Sequence, residues 1–271
     1  MKYIKSMLSV IFMIGVLVSP VEAGVLMISV QESYVNSKGK IHSEAYVERD
    51  RMRVEIKGDD TDQTIIFRKD KEVFWAIDNK EKTLVEITRR DLQKIKEKMD
   101  EAMKMFEEQL KNMPPEQREM MEQMMKKQMS MKSTQTKTMY EKVASGEKVN
   151  RWVCDKYEGY REGRKKKEIW TTDWKHLGLN PEDFKVMKTM GEFFEEFSKG
   201  AASSFYKVGS EEWEKEQGYS GVPVKTIIYS DGQIREKTEL KEIQQQDFSA
   251  SLFDLPKGLK KKEIPWNRME R

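Results

Sequence analysis

Turn signals recur through this chain every ten to twelve residues, and that spacing limits the folds open to it. Ser37-Lys38-Gly39-Lys40, Gly58-Asp59-Asp60, Arg68-Lys69-Asp70-Lys71 and Asp78-Asn79-Lys80-Glu81-Lys82 punctuate the stretch from Gly24 to Ile87. Between them lie segments of strand length. Met52, Val54 and Ile56 fall on one face at period two, and Ile65 to Arg68, Val73 to Asp78 and Thr83 to Ile87 follow. Parallel strands need a crossover of a dozen residues or more, and none separates these segments, so the spacing predicts an antiparallel meander. Strands resume near Thr136. Ser145-Gly146-Glu147 reads as a turn into Val149 to Tyr157, and Glu168 to Thr172 follows. The run Arg161 to Lys167 reads as a solvated hairpin tip rather than a contact with an anionic membrane. Val224 to Tyr229 and Ile234 to Ile243 flank Asp231-Gly232, whose pairing supplies the positive φ of a tight turn.

One long stretch breaks the strand rhythm. From Thr88 to Lys132 the apolar residues Leu92, Ile95, Met99, Met103, Phe106, Leu110 and Met113 recur at steps of three and four, which is helical spacing. Thr88 and Asp91 are placed as a capping box. Pro114-Pro115 ends this helix, because proline lacks the N–H and clashes with the preceding turn, and Pro115 can open the next one. The second helix carries Met120, Met121, Met124, Met125 and Met129, and 11 of the chain's 19 methionines lie between Met99 and Met139. Unbranched, polarizable thioethers adapt to irregular apolar partners. A third helix opens at Asn180-Pro181-Glu182-Asp183 and carries Phe184, Met187, Met190, Phe194 and Phe197, with Gly200 as its stop. The fold class expected from these segments is α+β: an antiparallel sheet with the Met-rich helical hairpin as its lid and a further helix beside it.

The first 23 residues read as a secretory leader. Lys2 and Lys5 form a positive start, Met7 to Val18 is apolar, and Val21-Glu22-Ala23 offers small residues at the cleavage positions. The expectation is a periplasmic or secreted protein cut between Ala23 and Gly24, then one domain over residues 24–262 with residues 88–132 as a helical lid. A basic tail over residues 263–271 follows. Beyond the leader stand 48 basic and 46 acidic side chains, that is 50 − 2 against 47 − 1. This balance argues against nucleic acid as a partner. Cys154 is the only cysteine, so no internal disulfide is expected. Within RWVCDKY it reads as a small buried apolar residue, with a reactive thiol as the sharper reading.

The residues of catalysis are missing as a pattern. His42 and His176 stand far apart and outside any metal-binding spacing, and there is no Gly-rich phosphate loop and no GxSxG. Met121, Met125 and Met129 share one helical stripe, and thioethers bind Cu(I). Such a stripe more often packs on apolar surface, so no metal and no cofactor are expected. The chain reads as a non-enzyme without a stable transmembrane anchor.

Three groups of residues carry a resemblance. YVERDRMRVEIKGDD…IIFRKDKEVFWAIDNKEKTLVEIT, RWVCDKYEGY…KEIWTTDW and GVPVKTIIY…TELKEIQQQDFSASLFDLPKGLKK, with Cys154, Tyr157, Trp170, Asp173, Phe253, Pro256 and Gly258, resemble the exported domain family DUF4412. That family in turn resembles the periplasmic lipoprotein carriers and outer-membrane lipoprotein receptors of the LolA and LolB kind. The resemblance implies an unclosed antiparallel β-barrel, a half-barrel sheet with the Met-rich helical hairpin and the further helix covering its concave face, and an apolar cavity for acyl chains or an apolar peptide. No residue is carried over for lipoprotein handover. The expected ligand-binding residues are Met99, Met103, Phe106, Leu110, Met121, Met125 and Phe194, and the expected ligand is a lipid, an acyl chain or a lipoprotein. The rival reading is a partner-binding or envelope-stress sensor module that docks through the same helices. The plainest reading is that the methionines only fill the core.

Overall fold

A computed structural model describes residues 23–34, 39–121, 123–124, 138–198, 214–215 and 217–263. Its frame is one twelve-stranded sheet. β1 (Gly24–Ser33), β2 (Lys40–Val47), β3 (Arg51–Lys57), β4 (Asp62–Arg68), β5 (Val73–Asp78) and β6 (Thr83–Thr88) form a meander in chain order. Helix α1 (Arg89–Lys111) follows, then a helix α2 over residues 115–121 that continues at 123–124. The second meander is β7 (Met139–Val149), β8 (Trp152–Arg161) and β9 (Arg164–Thr172). Short 3-10 turns at Trp174–Leu177 and Pro181–Phe184 lead into α3 (Lys185–Ser198). β10 (Val222–Ser230) and β11 (Gln233–Gln246) close the sheet onto β1, and β12 (Lys260–Lys262) ends the described chain.

The strand order is β12-β6-β5-β4-β3-β2-β1-β11-β10-β9-β8-β7, so the sheet is open, with β12 and β7 at its edges. Every pairing is antiparallel except β12 on β6, where Lys260, Lys261 and Lys262 run parallel beside Thr83, Leu84 and Val85. The sequence spacing predicts none of this last strand, since three lysines carry no alternation.

The two halves of the sheet differ in regularity. From β1 through β6 the register runs without interruption. From β1 to β7 by way of β11 every pairing contains a register shift. An extra residue in one strand bends it and increases its twist. The consequence is visible across the sheet: Asn150 Nδ2 donates to Leu240 O at 2.7 Å and Arg151 Nη2 to Ile243 O at 2.9 Å. β9 and β10 stand between β8 and β11, which a flat sheet would hold about 14 Å apart. The second half is therefore strongly curled.

In three places the structure departs from what the sequence spacing predicts. Ser145-Gly146-Glu147 is no hairpin turn; β7 runs through it, with Gly146 at φ +78 forming a bulge, and the chain reverses at Asn150 (φ +53) and Arg151. The expected charged tip at Arg161 to Lys167 shrinks to Glu162-Gly163, both at positive φ, and Lys165 lies inside β9 bonded to Glu168 at 2.7 Å. The helix expected to open at Asn180 begins as a 3-10 turn before α3 starts at Lys185, and its expected stop at Gly200 lies outside the described residues.

The main core joins both halves. Val25, Val47, Met52 and Phe67 from the regular half meet Trp152, Cys154, Trp170, Val224 and Leu240 from the curled half, under Leu92, Ile95, Val186 and Phe193 of the helices. A second, smaller cluster of Ile66, Val73, Trp75, Ile77 and Leu84 is covered by Leu255 and Leu259 of the C-terminal segment. That segment is held by buried Arg68, whose Nη1 donates to Asp254 at 2.9 Å and whose Nε and Nη2 grip Asp70 at 2.8 and 2.6 Å. Arg53 Nη1 donates to Leu252 O at 3.1 Å, and Arg51 lies over the Phe253 ring at 4.7 Å. Because β4 is buried on both faces, it reads as TIIF, without alternation.

Candidate functional site

Helix α1 starts as its sequence specifies. Thr88 Oγ1 accepts from Asp91 N at 3.2 Å, and Asp91 Oδ2 accepts from Thr88 N at 3.0 Å, closing the capping box. The Thr88 hydrogen bonds hold the Asp91 carboxyl below its ordinary range. Two orphan N-terminal amides are thereby satisfied at the point where the chain leaves β6. Leu92 and Ile95 are buried, and Arg89 lies over Phe193 at 5.8 Å while its Nε donates to Glu72 at 2.8 Å.

Burial then stops. Every residue from Lys96 to Met105 is exposed. At 1.5 Å per residue the helix runs on for roughly 24 Å past Ile95 without core contact. The apolar stripe continues along this free part. Met99 is 55% exposed and Met103 50%; Met105, two residues on and so about 200° round the helix, is 58% exposed on another face, and in α2 Met120 is 63% and Met124 64% exposed. These values decide the matter of core filling at these positions, because a core methionine such as Met52 is 7% exposed. Phe106, Leu110, Met113, Arg118 and Met121 are the half-buried residues among those described from 96 to 124.

Arg118 explains how the two helices stay joined. Its Nε donates to Leu110 O at 3.0 Å, and its Nη2 donates to Lys111 O at 3.0 Å and Met113 O at 3.3 Å. One guanidinium thus reaches three carbonyls at and just past the end of α1, of which Leu110 O also accepts from Met113 N at 3.3 Å, and the helix dipole favours a cation there. The sequence signal was available: an arginine four residues into a helix that follows a Pro-Pro break. The reading from periodicity gave it no role.

The expected site residues therefore separate into groups. Met99 and Met103 stand in the open row. Phe106, Leu110 and Met121 lie half-buried towards the turn of the hairpin. Met125 lies outside the described residues. Phe194 belongs elsewhere: its ring meets Phe74 edge-on at 5.3 Å and Phe193 at 4.9 Å, with Phe193 on Phe67 at 5.6 Å. It packs α3 onto β4 and β5, partly buried against the main core with Met187 and Met190.

At the root of the hairpin, between β6, α1 and β12, lies a cleft of about 470 Å³. Glu86, Asp91, Lys94, Glu97, Lys98 and Lys261 line it, with Ile95 as its apolar member. Lys261 Nζ and Trp75 Nε1 donate to Glu86 at 2.7 and 2.8 Å and hold its carboxyl below the ordinary range. Its charged lining suits water and ions better than an acyl chain. Cys154 is buried, and burial pushes its thiol up, which is the opposite of an activated cysteine. Among the described residues no group of three His, Cys, Asp or Glu could hold a metal ion, and no helix is long and apolar enough to cross a membrane.

The family model described as "Domain of unknown function (DUF4412)" matches residues 89–259, more than half of the 271-residue chain. The chain belongs to the DUF4412 family. The match opens on the first residue of α1 and closes just before β12, so it takes in both helices of the hairpin, α3, β7 to β11 and the C-terminal segment, while β1 to β6 lie outside it. No curated relative matches the sequence. Among solved structures the DUF4412 chain is similar to an uncharacterized conserved protein from Thermus thermophilus, at 7% identity and a TM-score of 0.44, over 90% of this chain and 92% of that one. It is also similar to the LolA superfamily protein NE2245 from Nitrosomonas europaea, at 7% identity and a TM-score of 0.30, over 87% and 91% of the two chains.

Proposed function

We propose that this DUF4412 protein is an exported, non-enzymatic binding protein that holds an acyl chain, free or carried by a lipid or lipoprotein, against the methionine row of its helical hairpin. The observation that carries the proposal is the exposure of Met99, Met103, Met105, Met120 and Met124 on helices that stand clear of the core. A set of large apolar side chains left in water marks a surface that meets an apolar partner. Each CH₂ removed from water contributes about 0.8 kcal/mol, so a chain of fourteen to sixteen carbons supplies roughly 10 kcal/mol before ordering costs. Methionine can follow such a chain without one fixed geometry. Export rests on the leader-like first 23 residues; on this reading the mature chain opens at Gly24, which is also where β1 begins.

Displacement of a fluorescent fatty acid tests the proposal. Because these methionines are exposed, replacing Met99, Met103, Met120 and Met124 by Gln leaves folding almost unchanged, as surface substitutions usually shift stability by less than about 0.5 kcal/mol each. Binding is expected to fall by about tenfold or more. Lys104→Gln and Glu108→Gln are expected to bind as wild type does. A four-Gln protein that folds and binds the probe as tightly as wild type contradicts the proposal. Wild type that ignores the probe yet holds a second polypeptide through the same row would favour the docking alternative.

A further inference from the structure

The exposed methionine row has a chemistry of its own beyond its shape. We propose that Met99, Met103, Met105, Met120 and Met124 form a site of reversible sulfur oxidation that switches the hairpin from an apolar to a polar surface. This inference rests on the binding role proposed above and adds its regulation. Thioether oxidation needs access of the oxidant to sulfur, and these side chains are 50–64% exposed, whereas Met52 in the core is 7% exposed. With hydrogen peroxide as oxidant, the thioether sulfur gives up an electron pair, the O–O bond breaks, one oxygen becomes the sulfoxide and the other leaves as water. A thiol-using sulfoxide reductase reverses the step: two thiols become a disulfide, and the oxygen leaves as water.

Placement makes this a switch rather than damage. Oxidising a core methionine puts a polar oxygen among apolar neighbours and undermines the fold. Residues 96 to 105 touch no core, so sulfoxides there leave the packing of Leu92 and Ile95 under α3 intact. Met99 and Met103, and likewise Met120 and Met124, are four residues apart on their helices, so each pair lies on one face. Oxidation of either pair therefore turns an apolar strip of its own helix polar.

Peroxide titration of the full protein, read by peptide mass spectrometry, thermal melting and fatty-acid displacement, tests the switch. The expected result is a gain of one oxygen at these five positions about tenfold or more faster than at Met52, an unchanged melting temperature, a loss of affinity of about tenfold or more, and its return after treatment with the reductase. A variant with Met99, Met103, Met105, Met120 and Met124 replaced by Leu keeps an apolar row that peroxide cannot oxidise, and it should bind before and after treatment. Wild type that binds equally well once these positions are oxidised overturns the switch while leaving the binding role intact. So does a five-Leu variant that loses affinity on peroxide as wild type does. Untreated wild type that binds no probe overturns the binding role itself, and the switch with it.

Discussion

Gly221 sits at φ +81, and a Cβ placed there would come within 2.6 Å of the Thr172 carbonyl oxygen. Both a left-handed backbone and a close approach by β9 therefore demand glycine. Gly146, at φ +78, has nothing within 4 Å of the same virtual atom. Gly221→Ala is expected to destabilise the protein by about 2–3 kcal/mol and Gly146→Ala by about 1 kcal/mol, measured by urea denaturation; equal costs would show that the Thr172 contact is relieved by a shift of β9. Glu239 supplies a pH dependence. Burial pushes its carboxyl up, but hydrogen bonds from Lys241 and Lys237 outweigh that and bring it to about 2 from 4.5. A carboxylate with a lowered native pKa contributes stability above its unfolded value, and that contribution is lost as pH falls from about 4.5 through 2. Allowing for screening at the partly exposed lysines, Glu239→Gln should cost about 1–2 kcal/mol at pH 7 and flatten the stability curve across that window. A curve of unchanged slope would contradict this. Residue-scale facts were the least legible in the sequence. Gly146 and Asn150 are both turn formers, and nothing local says which of them reverses the chain and which only bulges.

At the scale of the element, α1 was legible in its start, its face and its end. Thr88 and Asp91, the three-and-four spacing, and Pro114-Pro115 all act in the structure as their chemistry implies. What periodicity could not give is the point at which burial stops. The stripe continues unchanged from Ile95 to Met99 and Met103, because a helical pattern marks which side is apolar and not what lies opposite it. Arg118 offers an element-scale test. Arg118→Ala removes the donors to Leu110, Lys111 and Met113, and it is expected to cost about 1–2 kcal/mol within the hairpin. Amide hydrogen exchange should quicken in the last turn of α1 while the strands of the main core keep their protection. Equal acceleration in β4 would mean that the hairpin is coupled to the sheet, contrary to the burial pattern.

The whole molecule is an unclosed sheet with a second, separate apolar cluster under its C-terminal segment. The antiparallel meanders were readable from turn spacing, and the unclosed half-barrel came only with the family resemblance. The C-terminal segment was not readable, since its grip depends on Leu255 and Leu259 finding a surface made by β4, β5 and β6, and Phe253 finding Arg51 of β3, nearly two hundred residues earlier. Phe253 is fully buried, and truncating it leaves a cavity beside Arg51 of β3 and the Phe248 ring. Phe253→Ala is expected to cost about 3–5 kcal/mol and to lower the melting temperature by roughly 6–20 °C; a loss under about 1 kcal/mol would show that the segment is not part of the folded core. The central claim is that the hairpin row, and not the core, carries function. Native mass spectrometry of the protein purified from its own cell envelope tests it most directly. The account predicts that wild type retains an acyl lipid and that the folded four-Gln variant of Met99, Met103, Met120 and Met124 is empty. The same lipid retained on both proteins, or on neither, would contradict it.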